Sequence, residues 1–173
     1  INLLCDPGVF LDTLRNLKKN NKWNLDNNWF EENKNKKIEW VNKSLKNLEV
    51  EAEEAKKNGG KIHPLQLSLD VQDVMSEKDW LVIDGGNTHF WSEIAINIAG
   101  AKGKKLGGIL HPGTFSMLGV GVSFALSAKN NNPNSNVILI SGDGAFLSGG
   151  MSIEAAFFEN KPIVVVIDNN GGL

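Results

Sequence analysis

Two short apolar runs near the end of this chain each break into a polar, glycine-rich turn. The first, Val137-Ile138-Leu139-Ile140-Ser141, runs into Gly142-Asp143-Gly144-Ala145-Phe146. The second, Val164-Val165-Val166-Ile167-Asp168, runs into Asn169-Asn170-Gly171-Gly172. Runs this short and this apolar read as strands covered on both faces, which is the condition of a parallel sheet. Neighbouring parallel strands end on the same edge, and that edge is where ligands bind. The spacing therefore predicts that Asp143 and Asn170 meet as two hard oxygen ligands. Glycines let the backbone come close and turn N–H groups toward an anion. A carboxylate, an amide oxygen and a backbone carbonyl together suit Mg²⁺ or Ca²⁺ shared with a diphosphate.

The rest of the chain supports an α/β class. A strand is expected over Trp80-Leu81-Val82-Ile83-Asp84, ending in Gly85-Gly86. Helices are expected from His63-Pro64 to about Met75, from Asn87 to about Ile98, from Ser116 to about Lys129 and from Ser148 to about Asn160. Upstream, residues 1–5 read as a strand, and Asp6-Pro7 supplies an N-cap and an N1 proline for a helix reaching about Lys19. Phe10, Leu14 and Leu17 share one face of it. A longer helix from about Trp29 to Lys57 carries Ile38, Val41, Leu45 and Leu48 on one stripe, and Gly59-Gly60 ends it. Its charged residues read as the solvated face of a connecting helix. This gives three parts: residues 1–20 as the end of one domain, 21–62 as a helical linker and 63–173 as a ligand-binding domain.

The chain has 173 residues, enough for one domain with a real core. With 18 basic and 20 acidic residues its net charge is −2, which points to neither a nucleic-acid nor an acidic-membrane partner. The single cysteine, Cys5, excludes an internal disulfide framework and fits a reducing, cytoplasmic compartment. No apolar run approaches the length of a membrane span. The chain starts without Met and stops just past a motif, so a fragment is expected, with any targeting signal outside it.

Gly142-Asp143-Gly144, followed after an interval by Asn169-Asn170, resembles the thiamine-diphosphate motif. Pro112-Gly113-Thr114-Phe115-Ser116-Met117-Leu118-Gly119-Val120-Gly121 resembles the segment that carries the cofactor's pyrimidine end in the acetolactate synthase group. That group includes benzaldehyde lyase, oxalyl-CoA decarboxylase and 2-hydroxyacyl-CoA lyase. The resemblance covers roughly residues 64 to 173. It implies a thiamine diphosphate-binding fold, preceded by the end of a central α/β domain, with thiamine diphosphate and Mg²⁺ as cofactors.

The resemblance also assigns residues. Asp143, Asn170 and the backbone carbonyl of Gly172 become metal ligands, with Asn169 shaping the turn and Asp168 structural. Gly142, Gly144 and Ala145 open the turn toward the diphosphate, at a helix N-terminus. Gly86, Asn87 and Thr88 occupy a loop that closes over the diphosphate; here the sequence departs from the group's commoner Gln-His pair, and helix capping by Asn87 or Thr88 is the competing role. Leu118 is the apolar wedge that bends the cofactor, in preference to Met117, and the backbone of Ser116 and Leu118 meets the pyrimidine edge. His89 as a general base, His111 as a cleft residue and Glu154 as an acid each compete with plain structural roles, and Glu154 fits a helix contact better.

No catalytic side chain is assigned within the chain. The glutamate that activates the pyrimidine comes, in the resembled group, from an earlier domain and from a partner subunit. The resemblance therefore implies a homo-oligomer, dimer or tetramer, with its site at a subunit interface. It implies a 2-oxo acid decarboxylase or carboligase acting on a small 2-oxo acid. An oxalyl-CoA decarboxylase or 2-hydroxyacyl-CoA lyase acting on an acyl-CoA is the alternative: the Pro-Gly-Thr-Phe run and Asn-Asn-Gly-Gly lean that way, and Asp84-Gly85-Gly86 resembles benzaldehyde lyase. A non-catalytic nucleotide-binding paralogue is the third reading, and Asp143 with Asn170 weighs against it.

Overall fold

The computed structural model describes residues 4–20, 27–57 and 59–171. The chain falls into two compact units, residues 1–38 and residues 39–173.

The first unit holds helix α1 (Pro7–Lys19) and the first part of α2 (Asn27–Lys57). The Asp6 carboxylate accepts the Gly8 and Val9 N–H groups, and Pro7 occupies the first turn, as the sequence predicts. Leu14 and Leu17 are half-buried, while Phe10 and Ile38 are exposed. Of the strand expected over residues 1–5, residues 1–3 lie outside the described residues. Leu4 and Cys5 form no strand and are exposed, because the Asp6 cap starts α1 at once.

The second unit begins within α2, whose Val41 and Leu48 are buried against α3 (Pro64–Val74) and α4 (Asn87–Ala101). Gly59 and Gly60 both take positive φ, and the Gly60 N–H returns to the Ala55 carbonyl, closing α2 where expected. His63 caps α3: its Nδ1 accepts the Leu65 N–H, which leaves Nε2 to donate to Glu51 at 2.9 Å.

Among the described residues, four strands form one parallel sheet in the order β2-β1-β3-β4. They are β1 (Trp80–Ile83), β2 (Gly108–Leu110), β3 (Val137–Gly142) and β4 (Val164–Asp168). Alternation along β1 and β3 sends side chains to two cores. Val82, Val137 and Leu139 pack with Val122, Ala125 and Ala128 of α5 (Gly121–Asn131). Leu81, Ile83 and Ile140 pack with Val71 and Met75 at the end of α3. Fully burying each of these aliphatic side chains contributes about 1.5–3 kcal/mol, so the two central strands hold the sheet. The chain leaves β1 toward β2 on one side and returns through α5 to β3 on the other. The strand order therefore reverses between β1 and β3, and a crevice opens beyond their carboxyl ends.

Strand β2 escapes sequence reading because Gly107 and Gly108 dilute its apolar signal. Gly108 is required: a Cβ there would meet the Trp80 ring at 2.5 Å. The helix expected from Ser116 starts only at Gly121, since Ser116 and Gly119 take positive φ (46° and 83°) in a turn behind a short 3-10 segment, Gly113–Phe115. The helix expected over 148–160 is two pieces. Helix α6 (Asp143–Gly149) begins at once after β3, a 3-10 turn covers Gly150–Ser152, and α7 (Ile153–Phe158) follows. The break falls at Gly149, where a Cβ would meet the Gly119 carbonyl oxygen at 1.9 Å. Among the described residues, no helix is long and apolar enough to cross a membrane.

Candidate functional site

The crevice between β1 and β3 is organised by Asp84, the first residue past β1 and 1% exposed. Its Oδ1 accepts the N–H groups of Gly85 and Gly119 at 2.9 Å and of Val120 at 3.2 Å. Its Oδ2 accepts the Ser141 hydroxyl at 2.9 Å. One carboxylate thus ties the end of β1 to the turn before α5 and to the end of β3. Gly121 has no side chain because Asp84 fills the space: a Cβ there would lie 2.7 Å from Oδ2. In sequence Asp84 stands out as the end of a strand and as part of the Asp84-Gly85-Gly86 resemblance to benzaldehyde lyase, with no organising role. The available signal was an acid at the end of an apolar strand, where burial requires partners.

The loop Gly85-Gly86 carries two of the predicted regions into contact. A Cβ on Gly85 would meet the Ser116 and Met117 carbonyl oxygens at 2.2 and 2.4 Å, so only glycine allows these backbones to pass. Gly86 takes φ 89° as the N-cap of α4, and its N–H donates to Ser116 Oγ at 2.9 Å. Leu118 reaches the same place, with Cδ2 3.1 Å from where a Gly86 Cβ would stand. Gly86, Ser116 and Leu118 are therefore brought together. Leu118 and Met117 are both exposed, at 49% and 60%.

No side chain caps the N-terminus of α4. Asn87 is exposed there. Thr88 is buried, reaches Asp168 Oδ2 at 3.4 Å, and lies 3.3 Å from where a Gly142 Cβ would stand. The missing side chain of Gly142 makes the room through which Thr88 crosses toward β4. Neither residue caps α4 with its side chain, so the competing capping role has no support here.

The β3–β4 register pairs Gly142 with Asp168. Asp143 follows by one residue and Asn170 by two, so both leave neighbouring parallel strands at the same edge. Asp143 is half-buried and accepts the Gly144 N–H at 2.9 Å. That N–H is thus directed to the carboxylate rather than outward. Ala145 is buried in the first turn of α6. Asn169 shapes the turn by accepting the Gly171 N–H at 3.0 Å, and Asn170 is exposed beside it. Gly172 lies outside the described residues. A cleft of 460 Å³ is lined by Lys61, Ile62, Ile167, Asp168, Asn169 and Asn170. A cavity of 480 Å³ between α2, α3 and α4, lined by Leu45, Glu49 and Asp73 among others, lies away from the strand ends and includes none of the predicted residues.

Glu154 lies in the first turn of α7 and is exposed. His89 and His111 do meet: His89 Nε2 is 3.0 Å from His111 Nδ1, with Glu93 alongside.

The family model for the thiamine pyrophosphate enzyme C-terminal TPP binding domain matches residues 84–173, just over half of the chain. Acetolactate synthase large subunit IlvG of Mycobacterium tuberculosis is 32% identical over 111 residues, covering 64% of this chain and 19% of the relative. 2-Hydroxyacyl-CoA lyase 1 of Mus musculus is 30% identical over 107 residues, covering 60% and 18%. Oxalyl-CoA decarboxylase of Escherichia coli is 34% identical over 105 residues, covering 60% and 18%. The chain thus spans about a fifth of the length of the curated relatives it matches.

Proposed function

This chain belongs to the thiamine pyrophosphate enzymes, as their C-terminal TPP binding domain, and from that premise we propose that it binds Mg²⁺ and the diphosphate of its cofactor through Asp143, Asn170 and the Gly172 carbonyl. The observation that carries this reading is the register of β3 with β4, which delivers Asp143 and Asn170 to one sheet edge. The donor set is hard and oxygen-only, which suits Mg²⁺. A Cβ on Gly142 would stand 3.3 Å from Thr88 Oγ1, so glycine there lets Thr88 and the end of β3 come close at the edge proposed for the diphosphate. Asn87 and Thr88, at the uncapped start of α4, and Ala145, in the first turn of α6, offer backbone N–H groups to the anion, while Gly86, Gly142 and Gly144 let the backbone come close, the Gly86 N–H being held by Ser116 Oγ and the Gly144 N–H by Asp143. The Asp143 Oδ1 accepts the Gly144 N–H, which orients the carboxylate and leaves Oδ2 for the metal.

Leu118 stands beside Gly86 and would hold the cofactor bent, while the backbone of Ser116 and Leu118 would receive its pyrimidine edge. Thiamine diphosphate, when bound, supplies the electron sink for a carbanion. No residue of this chain is assigned the activating role, which falls to a glutamate of an earlier domain. The whole protein would be a homo-oligomer with its site between subunits, in a cytoplasmic compartment that suits the single cysteine. The exposed Leu147, Met151, Phe157 and Phe158 of α6, α7 and their connection support a subunit contact. In this reading residues 1–20 close a central domain, 21–62 link it, and 63–173 form the cofactor domain.

The reaction is proposed as decarboxylation and carboligation of a 2-oxo acid. Cleavage of an acyl-CoA, as by 2-hydroxyacyl-CoA lyase or oxalyl-CoA decarboxylase, stands as a second reading. It is favoured by the Pro112-Gly113-Thr114-Phe115 run and by relatives of comparable identity. Calorimetric titration with thiamine diphosphate in Mg²⁺ tests the binding assignment. Asp143→Ala should abolish Mg²⁺-dependent binding, and an affinity equal to wild type would refute it.

A further inference from the structure

Beside the cofactor crevice, three side chains from two elements converge without serving the site already described. His89 and Glu93 lie one turn apart on α4, and His111 follows β2. His89 Nε2 lies 3.0 Å from His111 Nδ1 and 3.3 Å from Glu93 Oε1, and His111 Nδ1 lies 3.4 Å from the same Glu93 oxygen. We propose that these atoms form a binding site for a first-row divalent cation of the Zn²⁺ type, distinct from the Mg²⁺ site at Asp143.

The distances carry the argument. In a tetrahedral site with bonds of about 2.0–2.1 Å, neighbouring ligand atoms stand about 3.3–3.4 Å apart. The point equidistant from the three atoms here lies about 1.9 Å from each, so an ion slightly out of their plane reaches all three at bonding distance. The two imidazole planes are tilted by 40°, and a modest rotation of each ring turns both lone pairs to that centre.

The proton inventory points the same way. Ser116 Oγ accepts the Gly86 N–H and lies 3.1 Å from His89 Nδ1, and its second lone pair can accept a proton from that nitrogen. With the His89 proton on Nδ1, Nε2 presents a lone pair. His111 Nδ1 accepts the Gly113 N–H at 3.3 Å and is therefore a lone pair, and Glu93 offers only lone pairs when ionised. The lone pairs of His89 Nε2, His111 Nδ1 and Glu93 Oε1 then face one another with no proton between them. A cation among them satisfies all three atoms, with the weak Gly113 bond yielding. Two imidazoles and one carboxylate suit Zn²⁺ rather than Mg²⁺ or Ca²⁺. The Ser116 hydroxyl on the far nitrogen of His89 is the outer partner that orients a ligating imidazole. Glu93 and His111 are about 40% exposed (42% and 38% for their side chains), so the ion has a route in and an outward position for water or an anionic group.

The test uses the protein carrying Asp143→Ala, so that the Mg²⁺ site cannot report. Titration with Zn²⁺ alone, followed by calorimetry, should show one saturable equivalent, and Co²⁺ in its place should show the visible absorption of a tetrahedral site. Glu93→Ala or His111→Ala, added singly in that background, should each weaken Zn²⁺ by about 100-fold or more and remove the Co²⁺ band. Both side chains face solvent, so the far-ultraviolet circular dichroism should be unchanged and either variant decides the matter alone. Absence of saturable Zn²⁺ binding, or binding that survives either substitution, would overturn the proposal and leave a hydrogen-bonded triad.

Discussion

Replacing Asp84 by alanine should cost the second unit a large part of its stability. The substitution removes one carboxylate and strands four donors: the N–H groups of Gly85, Gly119 and Val120 and the Ser141 hydroxyl. A buried donor left without a partner costs about 1–3 kcal/mol. The Ser141 hydroxyl has a second acceptor, the Gly142 carbonyl at 3.2 Å, and can fall back on it. Three orphaned backbone donors, two of them on half-buried Gly119 and Val120 and therefore near the low end of that range, set a loss of about 3–5 kcal/mol, against a total of about 5–15 kcal/mol for a domain of this kind. Asp84→Asn is the informative contrast. Its carbonyl oxygen can keep the three backbone donors, its amide can donate to Ser141, and only the charge assistance disappears, so its cost should be about 1–2 kcal/mol. Urea unfolding followed by circular dichroism measures both. With a slope of about 2 kcal/mol per molar, Asp84→Ala should lower the midpoint by about 2 M and Asp84→Asn by less than half of that. Equal midpoints for the two variants, or an alanine variant within about 1 kcal/mol of wild type, would show that water replaces the carboxylate and that it is not the organising group.

Asp79 should make the fold acid-sensitive. Burial pushes its carboxyl up, but hydrogen bonds from Ser76 and Asn136 outweigh this and hold it below its ordinary value of 3.8. A depressed folded value means that the contribution is complete above about pH 4 and is lost as pH falls through the folded value. Melting temperatures measured over that range should therefore drop more steeply in wild type than in Asp79→Asn, and parallel curves would refute the account. Leu118→Ala should keep most of the affinity for thiamine diphosphate and slow exchange of the cofactor's C2 proton into deuterated water, observed by NMR. If Met117→Ala slows that exchange and Leu118→Ala does not, the wedge is Met117. Gly149→Ala should lower the melting temperature and weaken the cofactor together, because its Cβ would enter the Gly119 backbone; an unchanged melting temperature would argue that the turn moves freely.

Much of this was legible in sequence because short-range rules applied. Strands β1, β3 and β4 are uninterrupted apolar runs, and the Asp6-Pro7 cap and the Gly59-Gly60 stop are local chemistry. The edge that joins Asp143 and Asn170 follows from parallel pairing alone. What escaped reading depends on contacts far apart in the chain. Strand β2 is marked by glycines because Trp80 lies on one of them. The late start of α5 comes from Asp84, 35 residues from Gly119, holding the Gly119 N–H. The break between α6 and α7 comes from the approach of Gly149 to Gly119. The Glu93 partnership with His89 and His111 had only a helical i,i+4 spacing to announce it, and nothing in that spacing names the third member.

The contact between Gly119 and Gly149 has a consequence for anyone reshaping this crevice. Gly119 belongs to the turn that carries Leu118, and Gly149 ends the helix that starts at Asp143. Main chain meets main chain there with no side chain between to act as a cushion. The two ends of the bound molecule would thus be gripped by parts that share a joint. Shifting either grip by the width of a methyl group shifts the other. A wider or differently angled cavity would have to be obtained by exchanging both turns as a matched set, since grafting either one alone forces its counterpart out of place.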